Sequence, residues 1–297
     1  MVCFEADIDL DATFGCGQCF RWLRLAHGGW SGVAHGRELT VRRDGPLLLL
    51  EGAGEDERGL WQEYFDLGRD YGAVRALLAG DTVFAKAAAF APGMRLLRQE
   101  SWEALCSFIL SQNNNIPRIR GIIERLCENF GERLAGGGYA FPTAHRLACI
   151  SEKELAPLRC GFRAGYIADA ARKVDSGEVD LSLAARMPLD EARALLQKIH
   201  GVGPKVAECT LLFGCGRVEC FPVDVWIRRA MACYFPQGLP GRFEPVGGIA
   251  QQLLFHYVRC CPDAAHEEAL APFRRTGKAR SAGLQKPTAA KAGSAPA

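Results

Sequence analysis

The stretch "ARALLQKIHGVGPKVAECTLLFG", residues 192–214, decides how the chain is read. Leu195, Leu196 and Ile199 recur at helical spacing until Gly201-Val202-Gly203 breaks the pattern. Pro204 then stands in a first helical turn, where its missing N–H does no harm. The expectation is a helix, a tight turn and a second helix. Unpaired amides and the positive end of a helix dipole converge at such a turn, so it suits a phosphate. Lys205 lies one residue inside the second helix, and the turn alone does not say whether it is a spare charge or a reagent.

Two helices joined by Gly-Val-Gly form a helix-hairpin-helix, a clamp for a nucleic-acid backbone that ignores base sequence, although many structural turns match G-x-G-P. The next clue is "FPVDVWIRRAM", where Asp224 follows Pro-Val and opens an apolar helix. An aspartate there is ordinarily an N-cap. A lysine and an aspartate at the heads of successive helices also fit one particular chemistry. An unprotonated amine displaces a base from a sugar C1′, and the resulting Schiff base permits β-elimination of the 3′ phosphate. A nearby carboxylate steadies the positive charge that develops on the sugar. Lys205 and Asp224 are therefore candidates for nucleophile and electrostatic partner.

Away from the hairpin, residues 18–51 read as β structure. "QCFRWLRL", "WSGVAHG", "RELTVRR" and "PLLLLEG" are short runs broken by Gly-Gly, His-Gly and Asp-Gly-Pro, which predicts an antiparallel meander. From "DERGLWQEYFDL" onward the pattern is helical. "SWEALCSFILS" predicts a helix capped by Ser101, and "PRIRGIIERLCENFG" another that stops at Gly131, with the polar triplet Asn113 to Asn115 between them. Further helices are expected at about 152–159, 164–176, 190–200, 204–213, 224–235 and 247–260. After Glu268 there is no acid, while Arg274, Arg275, Lys278, Arg280, Lys286 and Lys291 lie among Ala, Gly, Ser and Pro, so 266–297 reads as a disordered basic tail.

The 297 residues suffice for two domains, and 36 Lys+Arg against 34 Asp+Glu leave +2, so an acidic partner must meet a local patch. "MVCFEADIDLDATF" has acids and no long apolar run, which argues against a signal or transit peptide. No stretch approaches the roughly 20 apolar residues of a bilayer span. Thirteen cysteines without an export signal suggest reduced thiols. These features predict a soluble intracellular protein.

"LQKIHGVGPKVAEC…FPVDVW" resembles the helix-hairpin-helix-Gly-Pro-Asp motif of base-excision DNA glycosylases, in which the lysine marks the bifunctional glycosylase/lyase type. "GQCFRW", the segment from Phe90 to Glu100, "SFILSQNNNIPRI", "CGFRAGYI" and "AQQLLF" follow in the order of the 8-oxoguanine DNA glycosylase family, so that the resemblance covers about residues 8–260. It implies an α+β fold: a small antiparallel β-rich domain at 1–97 and a mostly helical catalytic domain at 98–265, with the cleft at their junction. It also implies double-stranded DNA containing oxidised guanine as the partner, base flipping as the mode of access, no cofactor and no metal, and a monomer. The location would be cytoplasmic and nucleoid-associated in a bacterium, nuclear in a eukaryote.

By the same resemblance, Asn113 fills the gap left by the flipped base and faces the orphaned cytosine. Arg118 and Arg163 read that cytosine, and Phe162 wedges at a position that is Tyr in other members. The carbonyl of Gly17 accepts N7–H of 8-oxoguanine, which normal guanine lacks. Gln251 binds the Watson–Crick edge, Phe255 stacks on one face and Cys209 on the other. Gly201 and Gly203 hold the DNA backbone. Bland alternatives stand beside each: a polar turn for the asparagines, a strand turn for Gly17, core packing for Phe255 and Cys209. Trp226 departs from the His of eukaryotic members and is left out of the catalytic set.

Two rivals remain. An iron–sulfur glycosylase shares the hairpin but carries a C-x₆-C-x₂-C-x₅-C run, a spacing that Cys233, Cys260 and Cys261 do not supply, and "CGQC" is a lone pair without a partner at zinc spacing. A non-catalytic module would use the hairpin only as a clamp, and the Lys205 and Asp224 pair separates it from an enzyme.

Overall fold

A computed structural model describes residues 1–261, so the basic tail expected at 266–297 lies outside the described residues. Strands β1 (Val2–Glu5), β2 (Trp22–Arg24), β3 (Trp30–Ala34), β4 (Arg37–Asp44) and β5 (Leu47–Glu51) form one antiparallel sheet in the order β1-β5-β4-β3-β2. The four runs expected in 18–51 are all strands; the edge strand β1 is additional, and its four residues are too few to show a period. Val2, Leu50, Val41 and Trp30 lie side by side across four strands, and all are buried. Strand alternation has put one residue type on one face. Helices α1 (Leu10–Gly15) and α2 (Arg58–Tyr64) cover that face. Phe14 stacks on Trp22 at 4.4 Å, and the Trp22 indole N–H donates to the Tyr64 hydroxyl at 2.8 Å, so this buried ring keeps a polar partner.

The helices that follow are α3 (Tyr71–Leu78), α4 (Thr82–Phe90), α5 (Ser101–Ser111), α6 (Ile116–Phe130), α7 (Ala144–Ala148), α8 (Arg163–Asp175), α9 (Leu181–Ala184), α10 (Leu189–Leu196), α11 (Pro204–Phe213), α12 (Val225–Tyr234) and α13 (Gly247–Cys260). Every residue of α5 from Glu103 to Leu110 is buried, which makes it the axis of the helical half; α11 packs along it, and α13 packs on α4. Apolar packing divides the chain into two cores. The first takes in the sheet, α1, α2 and Leu97; the second takes in α3, α4 and every later helix. The proposed boundary near residue 97 thus falls after two helices that share the second core.

Three local expectations change. Ser101 is not the cap of α5: Glu100 holds that position, and the Ser101 hydroxyl donates to the Gly214 carbonyl at 2.9 Å, tying α5 to the end of α11. Residues Glu152–Leu158 form a 3₁₀ helix containing Pro157, and Arg159 ends it in the left-handed region at φ 53°. The helix expected over 190–200 stops at Leu196, and the chain turns through 197–203 to enter the hairpin.

Candidate active site and nucleic-acid interface

The hairpin turn is built around Gly201 and Gly203. Gly201 adopts φ 82°, and a Cβ there would stand 2.3 Å from the Tyr166 ring, so only glycine lets that ring lie against the turn. Gly203 caps α11 in extended backbone with nothing within 4 Å of a would-be Cβ, and Pro204 follows at the first position. The N–H groups of Gly203, Lys205 and Val206 have no protein acceptor among the described residues. They are the donors that a helix start leaves for an anion.

Lys205 leaves this turn and points inward. Its Nζ donates to Ser111 Oγ at 3.2 Å and lies 5.0 Å from the centroid of Phe108, both on α5. The Ser111 hydroxyl donates its own proton to the Phe108 carbonyl at 2.8 Å, so towards the lysine it is an acceptor. Ser111 and Phe108, which contact the lysine amine, escaped sequence reasoning; their signal was their place in the matched segment "SFILSQNNN". Cys209 lies one turn after Lys205 and is buried. Burial pushes its thiol up to about 11, Lys205 pulls the other way, and the carboxylates of Asp224 and Glu208 push with burial. The thiol is therefore neutral near pH 7, a surface for packing.

Asp224 is the N-cap of α12, with Oδ1 accepting from Ile227 N at 2.8 Å. Cap and functional group do not exclude each other here. The cap holds the carboxylate still, and Oδ2 has no hydrogen bond among the described residues. Val223, Val225 and Trp226 around it are exposed.

Gly17 lies on the loop that follows α1. At φ 85° it presents bare backbone, and a Cβ there would meet Ile116 Cδ1 at 3.4 Å and Phe255 Cε1 and Arg259 Nη1 at 3.6 Å. Gly17 and Phe255, 238 residues apart in sequence, are thus neighbours. Buried amides hold this loop. Gln252 Nε2 donates to the Cys16 carbonyl at 3.0 Å, and Gln18 bonds the carbonyls of Thr13 and Arg95 and the N–H of Leu97, each at 2.8 Å. Gln99 donates to the Gln18 carbonyl at 2.7 Å. Gln18, Gln99 and Gln252 also escaped sequence reasoning. Gln251 differs from its neighbour: it is buried, yet its Oε1 has no hydrogen-bond partner among the described residues. An orphaned buried acceptor costs about 1–3 kcal/mol, a cost that a ligand donor would remove.

The asparagine triplet forms the third wall. Asn115 caps α6 by accepting from Arg118 N at 3.0 Å, Asn114 bonds back to the Leu110 carbonyl at 3.0 Å, and Asn113 is exposed at φ 46°. The polar turn and the functional reading are again compatible, because two asparagines build the turn that projects the first. Arg163 is buried, and its guanidinium donates to the carbonyls of Gln112, Asn113 and Cys160 while lying 4.4 Å from the centroid of the exposed Phe162 ring. It clamps the Asn113 loop, and at most one of its five N–H groups remains for a base. Arg118 is exposed and makes one long bond, 3.4 Å, to the Arg159 carbonyl. A cavity of about 690 Å³ over the sheet, lined by Asp9, Asp11, Arg24 and Arg43 among others, includes none of these residues.

The chain is similar to known proteins over most of its described length. The family model for the 8-oxoguanine DNA glycosylase N-terminal domain matches residues 1–105, and that for helix-hairpin-helix-Gly-Pro-Asp superfamily base excision DNA repair proteins matches 106–237. The solved structure of the Clostridium acetobutylicum 8-oxoguanine glycosylase/lyase, in complex with double-stranded DNA containing cytosine opposite 8-oxoguanine, is 37% identical and superposes with a TM-score of 0.81, covering 86% of this chain and 92% of that one. The structure of MBOgg1 in complex with a low-affinity DNA ligand is 42% identical with a TM-score of 0.80, covering 86% and 93%. The N-glycosylase/DNA lyase of Saccharomyces cerevisiae is 38% identical over 167 residues, 51% of this chain and 44% of that protein. The chain spans about half the length of the first curated relatives it matches. No helix among the described residues is long and apolar enough to cross a membrane.

Proposed function

The chain belongs to the 8-oxoguanine DNA glycosylase family within the helix-hairpin-helix-Gly-Pro-Asp superfamily, and on that premise we propose that it is a DNA N-glycosylase and abasic-site lyase that removes 8-oxoguanine opposite cytosine. The hairpin amides grip a backbone phosphate, and the lesion is turned out of the helix. The Lys205 amine attacks C1′, the C1′–N9 bond breaks, and its electron pair leaves with the base, which takes up a proton. The charge that develops on the sugar faces the Asp224 carboxylate. The C1′–O4′ bond then opens, O4′ takes up the proton lost from the amine, and the lysine remains joined to C1′ as a Schiff base. Loss of a C2′ proton then expels the 3′ phosphate and cuts the strand.

The observation that carries this reading is the Lys205 amine at the head of α11, held by Ser111 Oγ beside the Phe108 ring, together with the Asp224 carboxylate fixed as the cap of the next helix, α12. Base selectivity follows from the Gly17 carbonyl meeting N7–H and from the Gln251 side chain, whose unpartnered Oε1 awaits a donor from the Watson–Crick edge. Phe255 and Cys209 enclose the base. Asn113 fills the gap and Phe162 wedges. Arg118 reads the cytosine, and Arg163 acts on it chiefly by holding Asn113 in place. The protein works as a monomer without metal or organic cofactor, in two domains that divide near residue 97. Borohydride should trap a covalent complex with a duplex containing 8-oxoguanine opposite cytosine. Lys205→Gln should abolish trapping while leaving DNA affinity within a few fold; undiminished trapping in that variant would remove Lys205 as nucleophile. Binding to damaged DNA without trapping by the wild-type protein would leave a clamp.

A further inference from the structure

We propose that Arg259 is a specificity-determining residue, a fixed positive charge behind Phe255 that turns the pocket against cationic alkylated bases and towards neutral oxidised ones. The proposal rests on the assignment of Gly17, Gln251 and Phe255 to the base pocket. Arg259 lies one turn beyond Phe255 on α13, and helical side chains lean towards the N-terminus. It folds back over the ring, with Cζ 4.8 Å from the centroid. Its Nη1 lies 3.6 Å from the point a Gly17 Cβ would occupy. Both contacts are with residues of the proposed pocket. No carboxylate pairs with Arg259 among the described residues. Together with burial it also holds the His256 imidazole pKa below the usual value.

The physical argument concerns the two faces of one ring. A guanidinium against one face of Phe255 already draws on the negative π density. A base stacked on the other face at about 3.5–4 Å would stand roughly 8–9 Å from the guanidinium, within about one Debye length at physiological salt. 8-Oxoguanine is neutral and meets no repulsion across the ring. A purine alkylated at N7 while joined to the sugar is a cation, and it meets both the repulsion and a π face already engaged.

The test compares single-turnover excision of 8-oxoguanine and of 7-methylguanine, each opposite cytosine, by the full-length wild type and by Arg259→Met and Arg259→Lys. Steric rejection of the N7 methyl group is common to all three proteins and cancels in the ratio. In Arg259→Met the ratio of 7-methylguanine to 8-oxoguanine excision should rise about tenfold, or about 1.4 kcal/mol; in Arg259→Lys, which keeps the charge, it should stay within about twofold. An unchanged ratio in Arg259→Met, an equal rise in Arg259→Lys, or no detectable 7-methylguanine excision by Arg259→Met would overturn the proposal. Borohydride trapping of the wild type on 8-oxoguanine runs in parallel. Its absence overturns the underlying pocket reading and Arg259 with it, whereas trapping with an unchanged ratio overturns Arg259 alone.

Discussion

The wall that carries Lys205 and the wall that carries Gly17 are built by opposite means. Around Lys205 the decisive groups sit at helix starts: Gly203 opens α11, Asp224 opens α12 and Asn115 opens α6. Each is local, within a few residues of the group it places. Around Gly17 the decisive bonds join distant segments, Gln18 to Arg95 across 77 residues and Gln252 to Cys16 across 236. On the proposed function, chemistry is held by helix geometry and selectivity by long-range buried amides. The first needs little more than a stable helix; the second needs both cores assembled.

Four experiments press on that contrast. The largest effect concerns Glu103, which joins the walls at their seam: it lies on α5 and pairs with Arg21 at 3.3 Å. Burial raises its pKa to about 7, against the opposing pull of Arg21. A carboxyl raised on folding holds its proton in the native state where the unfolded chain has lost it. Stability should therefore fall as pH rises from about 4.5 to about 7, by about 3 kcal/mol in all. Denaturant titrations should show this slope in the wild type and a much flatter one in Glu103→Gln; the same slope in both would assign it to another group.

Gln251 and Gln252 are adjacent on α13, and the contrast assigns them opposite roles. Gln251→Leu removes an orphaned acceptor, so stability should hold or rise, while the preference for 8-oxoguanine over guanine drops roughly 100-fold. A parallel loss of stability would make Gln251 structural. Gln252→Ala strips the Cys16 carbonyl of its donor and should cost about 2 kcal/mol in denaturant unfolding, with Lys205 trapping on abasic DNA retained. Should trapping fall with selectivity, the two walls are not separable. The smallest effect is at the triplet: Asn115→Ala should lower stability by about 1 kcal/mol through the lost cap. Asn113→Ala should leave stability nearly unchanged and lower discrimination between opposite bases.

Legibility in the sequence followed the same division. The hairpin, its proline, the lysine, the capping aspartate and the four strands β2 to β5 are periodic or short-range signals, and each lies where it was expected. Strand β1 is too short for a period to register. Ser101 looked like a cap because serine before an apolar helix ordinarily is one; packing of α5 against α11 gave its hydroxyl the Gly214 carbonyl instead. Arg163 read as a free base reader, and only the fold showed that its donors are engaged beneath Asn113.

What the sequence determined by itself is the set of local devices: the glycine turn with its unpaired amides, the lysine just inside a helix, the aspartate at a helix start, and the polar break between α5 and α6. These follow from backbone hydrogen bonding and steric limits acting over one or two turns. Tertiary structure alone decided that Gly17 meets Phe255, that Gln252 is satisfied while Gln251 is not, and that Arg259 lies over the ring beside them. Those relations depend on which buried groups find partners, and a buried polar group's partner is set by packing across the whole chain.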